Sequence, residues 1–124
     1  MLANSNLIAF VCTRNPALAL DFYTNTLGLP LLADEQPSAL VFDAHGTMLR
    51  VVIVQELIPS AHTAVGWSVK DIDAVVMALR NKGIDCERYS WLQQDELGIW
   101  SSPEGACVAW FKDPDGNLLS VTQF

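Results

Sequence analysis

Positive charge is scarce in this sequence. Seven Lys and Arg face fourteen Asp and Glu, a formal net charge of −7. Binding a phosphate backbone needs clustered cations, so nucleic acid is excluded as a partner. Long apolar runs are missing too. Nowhere do about 18 apolar residues stand together, the length a membrane span needs, so no membrane partner is expected. The first ten residues, MLANSNLIAF, hold neither a basic segment nor an extended apolar one. No secretory leader is read there, and the expected location is the cytoplasm.

Side chains that carry chemistry are few. Histidine is limited to His45 and His62, and cysteine to Cys12, Cys86 and Cys107. The cysteines are odd in number, lack a CxxC spacing and lie in apolar stretches. They read as reduced, buried thiols. No Ser–His–Asp or Cys–His constellation, Gly-rich phosphate loop or carboxylate pair on one face can be placed. Asp95 and Glu96 could supply a general base, but such a pair reads more simply as a solvated loop. No cofactor is expected.

What is present is apolar pattern, 51% of 124 residues, enough for one domain with a real core. Leu7 to Thr13 reads as a buried strand. Asn15 followed by Pro16 starts a helix carrying Leu18, Phe22 and Tyr23, and Gly28 stops it. Strands are expected over 29–33, 39–43 and 47–54, with a polar loop at 34–38 and a turn at Ala44-His45-Gly46. Residues 55–62, with Pro59 and Ser60, read as a linker. A strand over 64–69 precedes a helix capped by Asp71. Ile72, Val75, Val76 and Leu79 form its apolar stripe, and Gly83 ends it. Strands are then expected over 84–91, 97–101, 106–112 and 118–124. The turn between the last two, Asp113-Pro114-Asp115-Gly116-Asn117, has local causes: proline presets φ, Asp side chains bond back to the backbone, and glycine takes positive φ.

The halves match. Asn15 and Asp71, Gly28 and Gly83, and Gly46 and Gly105 are offset by 56, 55 and 59 residues. The chain therefore reads as a duplicated βαβββ unit within a single domain over 1–124: module one about 7–55, module two about 63–124.

Three segments, ALALDFYTNTLGLPLL (17–32), SVKDIDAVVMALRNKGI (68–84) and FKDPDGNLLSV (111–121), carry a resemblance. In this order and spacing they resemble the vicinal oxygen chelate superfamily, which includes glyoxalase I, bleomycin-resistance proteins, fosfomycin-resistance enzymes and extradiol dioxygenases. The resemblance implies an α+β fold of two βαβββ modules whose mixed sheets form a cup. In the family's enzymes the cup holds a divalent metal on four His, Glu or Gln side chains. The positions that match those ligands are Ile8, Arg50, Ala64 and Ser120. None is a good ligand, and a guanidinium would repel the ion. The metal site is therefore expected to be absent. His62, two residues before Ala64, is the one candidate for a displaced ligand, and His45 reads as a solvated turn residue.

Other roles follow for these positions. If Arg50 points into the cup, a buried cation needs an anion, and a ligand carboxylate with Ser120 nearby would supply one. Trp91 and Trp100 flank the acidic loop and could wall the cup against a flat ligand. Trp67 and Trp110 read as packing under the helices. The expected function is a metal-independent small-molecule-binding protein of the bleomycin-resistance type, holding an anionic or aromatic organic ligand on Arg50, Ser120, Ile8, Ala64, Trp91 and Trp100. The alternative is a metal-dependent lyase, isomerase or dioxygenase whose ligands lie one register away. A third reading makes the cup an interface only. Family members commonly pair, so a homodimer is expected.

Overall fold

A computed structural model describes all 124 residues. The chain divides into two compact units, Met1–Pro59 and Ser60–Phe124.

In the first unit, β1 (Ile8–Thr13) is followed by helix α1 (Pro16–Asp21) and a π-helical stretch, Phe22–Thr26. Then come β2 (Leu31–Glu35), β3 (Ala39–Ala44) and β4 (Thr47–Ile53). The Asn15 side chain caps α1 by accepting from Leu18 N at 3.2 Å, which satisfies one of the donors a helix start leaves open. The strands order β1-β4-β3-β2, with β1 parallel to β4 and the rest antiparallel. Register fixes the two faces. Val11, Leu40, Phe42, Leu49 and Val51 are all buried. Tyr23 covers this side, its ring 5.7 Å from that of Phe42. Across the pleat, Ile8 pairs Met48 and Phe10 pairs Arg50, and Ile8, Phe10 and Met48 are exposed.

The second unit repeats the plan. β5 (Val65–Ser68), α2 (Ile72–Asn81), β6 (Trp100–Ser101), β7 (Cys107–Lys112) and β8 (Leu118–Gln123) form a sheet ordered β5-β8-β7-β6. Asp71 caps α2 by accepting from Ala74 N at 3.1 Å. Gln123 ties the helix start to the sheet, its Oε1 accepting from Ile72 N at 2.9 Å. Leu119, Val121, Ala109 and Phe111 are buried on one face, together with Ile72, Val76 and Leu79 of α2. The duplication shows in the backbone as well: φ is +76° and +84° at Gly28 and Gly83, and +93° at both Gly46 and Gly105. No helix is long and apolar enough to cross a membrane.

Three expected strands differ. Residues 84–91 form no strand. Glu87 N donates to Trp110 O at 2.7 Å, but Tyr89 N donates to Gln94 Oε1 and Glu87 O accepts from Gln94 Nε2, both at 2.8 Å. A side chain thus takes backbone groups a neighbouring strand would have taken. Residues 97–101 shrink to Trp100–Ser101. Asp95 Oδ1 accepts from both Leu97 N and Ile99 N at 2.9 Å, so these donors never reach a ladder. The strand expected at 29–33 runs instead over Leu31–Glu35, with a register shift between Leu31 and Ala33. Glu35 pairs Ala39 in the ladder, so Asp34 and Glu35 belong to the sheet rather than to a loop.

Candidate functional site

The turn at 113–117 sets the register of the hairpin it closes. Asp113 Oδ1 accepts from Asp115 N at 3.0 Å and Asn117 N at 2.9 Å, and its Oδ2 accepts from Asn117 Nδ2 at 2.8 Å. With that turn fixed, Lys112 lies opposite Leu118, Phe111 opposite Leu119 and Trp110 opposite Ser120. Trp110 therefore shares Ser120's face and points away from buried Phe111 and Ala109. The expectation that Trp110 packs under a helix is corrected by this parity. Trp67, opposite Val121, does lie on the buried face.

An aromatic chain runs along the other face. Trp100 and Trp110 lie 6.1 Å apart between ring centroids, Trp110 and Tyr89 5.6 Å edge to face, and Tyr89 and Trp91 4.9 Å. These separations are those of attractive ring pairs. Trp91, at the end, is 75% exposed. Beside the chain lies a hollow of about 230 Å³, walled by Tyr89, Trp91, Leu92, Trp110 and Leu118 and by Ala61, His62 and Thr63. It is smaller than a drug-sized site, and its size suits a ligand of one or two fused rings.

Ser120 is buried on this face. A Cβ on Gly66, its register partner, would stand 2.7 Å from Ser120 Oγ, so the hydroxyl fills the space a side chain would need. Ala64 is exposed just ahead of β5, its N–H donating to Leu118 O at 2.8 Å. Burial, aided by the charge of Glu87, holds the Tyr89 phenol above its ordinary range, so it stays an O–H group. Lys112, the nearest cation on the strand, is paired to Glu87 at 3.3 Å.

Ile8 and Arg50 lie in the first unit on the exposed face of its sheet. Arg50 does not await an anion from a ligand. Its Nη2 donates to Glu35 Oε1 at 2.9 Å. Glu35 stands on β2 and Arg50 on β4, with β3 between, an arrangement that depends on the sheet order. The pair is exposed enough that water screens it, so it contributes little to stability.

Other candidate groups do not assemble into chemistry. Asp95 spends its carboxylate on the loop backbone. The Glu96 carbonyl accepts from Arg80 and Arg88 at 3.2 and 2.7 Å. All three cysteines are free thiols. Burial pushes the Cys86 thiol up despite nearby Arg80 and Arg88, which makes it a poor nucleophile. His45 sits in the turn with φ +53°. A wider groove of about 400 Å³ on α1 is walled by Ala17, Leu20, Asp21, Thr24, Asn25 and Leu31, and lacks an aromatic surface.

The residues that the resemblance matches to the superfamily's metal ligands, Ile8, Arg50, Ala64 and Ser120, do not have the chemistry to hold a divalent ion. They are an alkyl chain, a guanidinium bound to Glu35, a methyl and a hydroxyl. No group of three or more His, Cys, Asp or Glu side chains comes together that could hold a metal.

Sequence reasoning named Trp91 and Trp100, and the ring contacts add Tyr89 and Trp110 to the same chain. Trp110 was within reach: counting outward from the turn places it opposite Ser120. Tyr89 was not, because its position depends on Gln94.

The comparisons with known proteins agree with this architecture. A family model described as Glyoxalase/Bleomycin resistance protein/Dioxygenase superfamily matches residues 6–121. Among solved structures, a member of that superfamily from Sphaerobacter thermophilus DSM 20745 aligns with TM-score 0.78 and 22% identity over 100% of both chains. A lactoylglutathione lyase from Agrobacterium tumefaciens gives TM-score 0.76 and 18% identity over 96% of this chain and 93% of its own. TioX from Micromonospora sp. ML1 gives 0.72 and 21%, over 97% and 98%. No curated protein matches the sequence.

Proposed function

The chain belongs to the Glyoxalase/Bleomycin resistance protein/Dioxygenase superfamily, and from that premise we propose that it is a metal-independent protein that binds a small aromatic molecule. The supporting observation is the aromatic chain Trp91–Tyr89–Trp110–Trp100 beside its hollow. Stacking against Trp91 and Trp110 would hold a flat ring system, with Trp100 backing Trp110. The lyase neighbour, at 18% identity, shares a fold and lends no activity. The donor set gives the metal-dependent alternative no support, and no carboxylate lines the hollow.

A titration tests the reading. Naphthoate is expected to quench tryptophan emission saturably, one molecule per chain. Trp110→Ala should weaken that affinity about tenfold through lost stacking and buried area. Arg50→Ala should change it by less than about twofold, since this guanidinium already has Glu35 as its partner. A loss of binding in Arg50→Ala equal to that in Trp110→Ala would return the site to Arg50 and sink this placement.

A cytoplasmic homodimer completes the reading. Three free cysteines suit a reducing compartment. Ile8, Phe10 and Met48 leave apolar side chains exposed on the first sheet, a surface a second copy would cover. Sedimentation velocity should show a dimer at micromolar concentration, and a single monomeric species would remove this part.

A further inference from the structure

We propose that His62 determines specificity in the aromatic site by hydrogen-bonding a carbonyl or carboxylate oxygen carried by the ligand. The inference rests on the aromatic-site reading above and names the class of molecule that site takes: a one- or two-ring aromatic bearing an oxygen acceptor.

The argument starts from what lines the hollow. Three walls are aromatic and two are leucines, surfaces against which a ring can stack. The polar side chains are His62, Thr63 and Tyr89. No Lys, Arg, Asp or Glu is among them, and Lys112 close by is already held by Glu87 at 3.3 Å. The Thr63 and Tyr89 hydroxyls and the indole N–H groups of Trp91 and Trp110 are neutral donors, and the imidazole alone is able to carry positive charge. The facing segments also carry Tyr89, the Glu87–Lys112 pair and Arg88, whose guanidinium donates to Glu96 O at 2.7 Å.

His62 is also held in place. Ser60 Oγ lies 2.7 Å from its Nδ1 and 3.2 Å from its Nε2. One hydroxyl can bond only one ring nitrogen at a time, so the imidazole has hydrogen-bonding capacity for a second partner. His62 is exposed at the rim, where a substituent leaving the stacked ring would pass. The anion-reading role first expected of Arg50 thus moves to a residue in the aromatic unit.

The test uses three probes of one ring system: naphthoate, naphthamide and methylnaphthalene. Each is titrated by tryptophan quenching against the wild-type protein, His62→Ala and His62→Gln. Wild type should bind naphthoate and naphthamide about tenfold tighter than methylnaphthalene, the effect of one added hydrogen bond. His62→Ala should abolish that gap, bringing naphthoate and naphthamide to the affinity the same variant shows for methylnaphthalene. His62→Gln, whose amide also donates, should restore part of it. A gap that survives in His62→Ala, or no gap in wild type, overturns the role of His62 and leaves the aromatic site standing. Failure of all three probes to quench the wild type saturably overturns both. Because His62 is exposed, its replacement should leave the far-ultraviolet circular dichroism and the denaturation midpoint unchanged, which checks that the variants fold.

Discussion

Phe42→Ala is expected to destabilise the first unit by about 3–5 kcal/mol, the range for deleting a fully enclosed phenylalanine. Phe42 has 0% of its surface exposed. It sits mid-strand on β3, opposite Leu49, which is equally buried. Its ring meets Tyr23, which in turn meets Phe22 edge to face at 5.1 Å. Truncation removes the transfer energy of the ring and leaves a cavity. The backbone is pinned on both sides by β2 and β4 and cannot collapse into it. Phe10 provides the control. It has the same side chain in the same sheet but is 56% exposed on the opposite face. Measured in dilute, monomeric protein, Phe10→Ala should cost under about 1 kcal/mol, as surface changes usually do. Urea denaturation of both variants, followed by circular dichroism, measures the difference. Equal losses would mean that the two faces are not distinguished by burial as the register requires.

Gln94→Ala is expected to cost about 2–3 kcal/mol, since it strands three backbone partners in a part-buried place. The Gln94 amide accepts from Tyr89 N and donates to Glu87 O and Gly98 O, each at 2.8 Å. One side chain therefore holds together two segments that have no ladder between them. Tyr89 and Trp91 ride on the first of these segments. The variant should lose affinity for naphthoate as well as stability, although Gln94 does not line the hollow. Gln94→Glu is the informative companion. It keeps the acceptor for Tyr89 N but loses the amide donors, so it should fall between wild type and alanine near neutral pH. Denaturation midpoints read the stability, and the quenching titration reads the site. Unchanged probe affinity in a clearly destabilised Gln94→Ala would show that the aromatic chain does not depend on this amide.

These two residues mark the boundary between what was legible and what was not. Helix starts at Asn15 and Asp71 and the turn at Asp113 were readable because their bonds close within four residues. Such contacts form from sequence-adjacent atoms, whatever the rest of the chain does. The duplication was readable for a related reason: each glycine pair marks a local backbone need, and the need recurs. Alternation along β7, counted from a known turn, could even have placed Trp110.

Partnerships between distant residues were not readable. Arg50 lies 15 residues from Glu35, and their pairing requires the strand order β4-β3-β2. The sequence permitted a guanidinium that waits for a ligand as well as one already neutralised. Residues 84–91 carry strand-like side chains, yet Gln94 takes their backbone groups, and propensity yields to such competition. Sequence by itself determined the repeated βαβββ plan and the caps and turns, and its resemblance implied that Ile8, Arg50, Ala64 and Ser120 stand where the superfamily places its ligands. Tertiary structure alone decided which charges are paired, which tryptophans share a face and where a ring could lie. The physical reason is range: local backbone chemistry is written in neighbouring residues, whereas a site is an intersection of segments that only the packed sheets bring together.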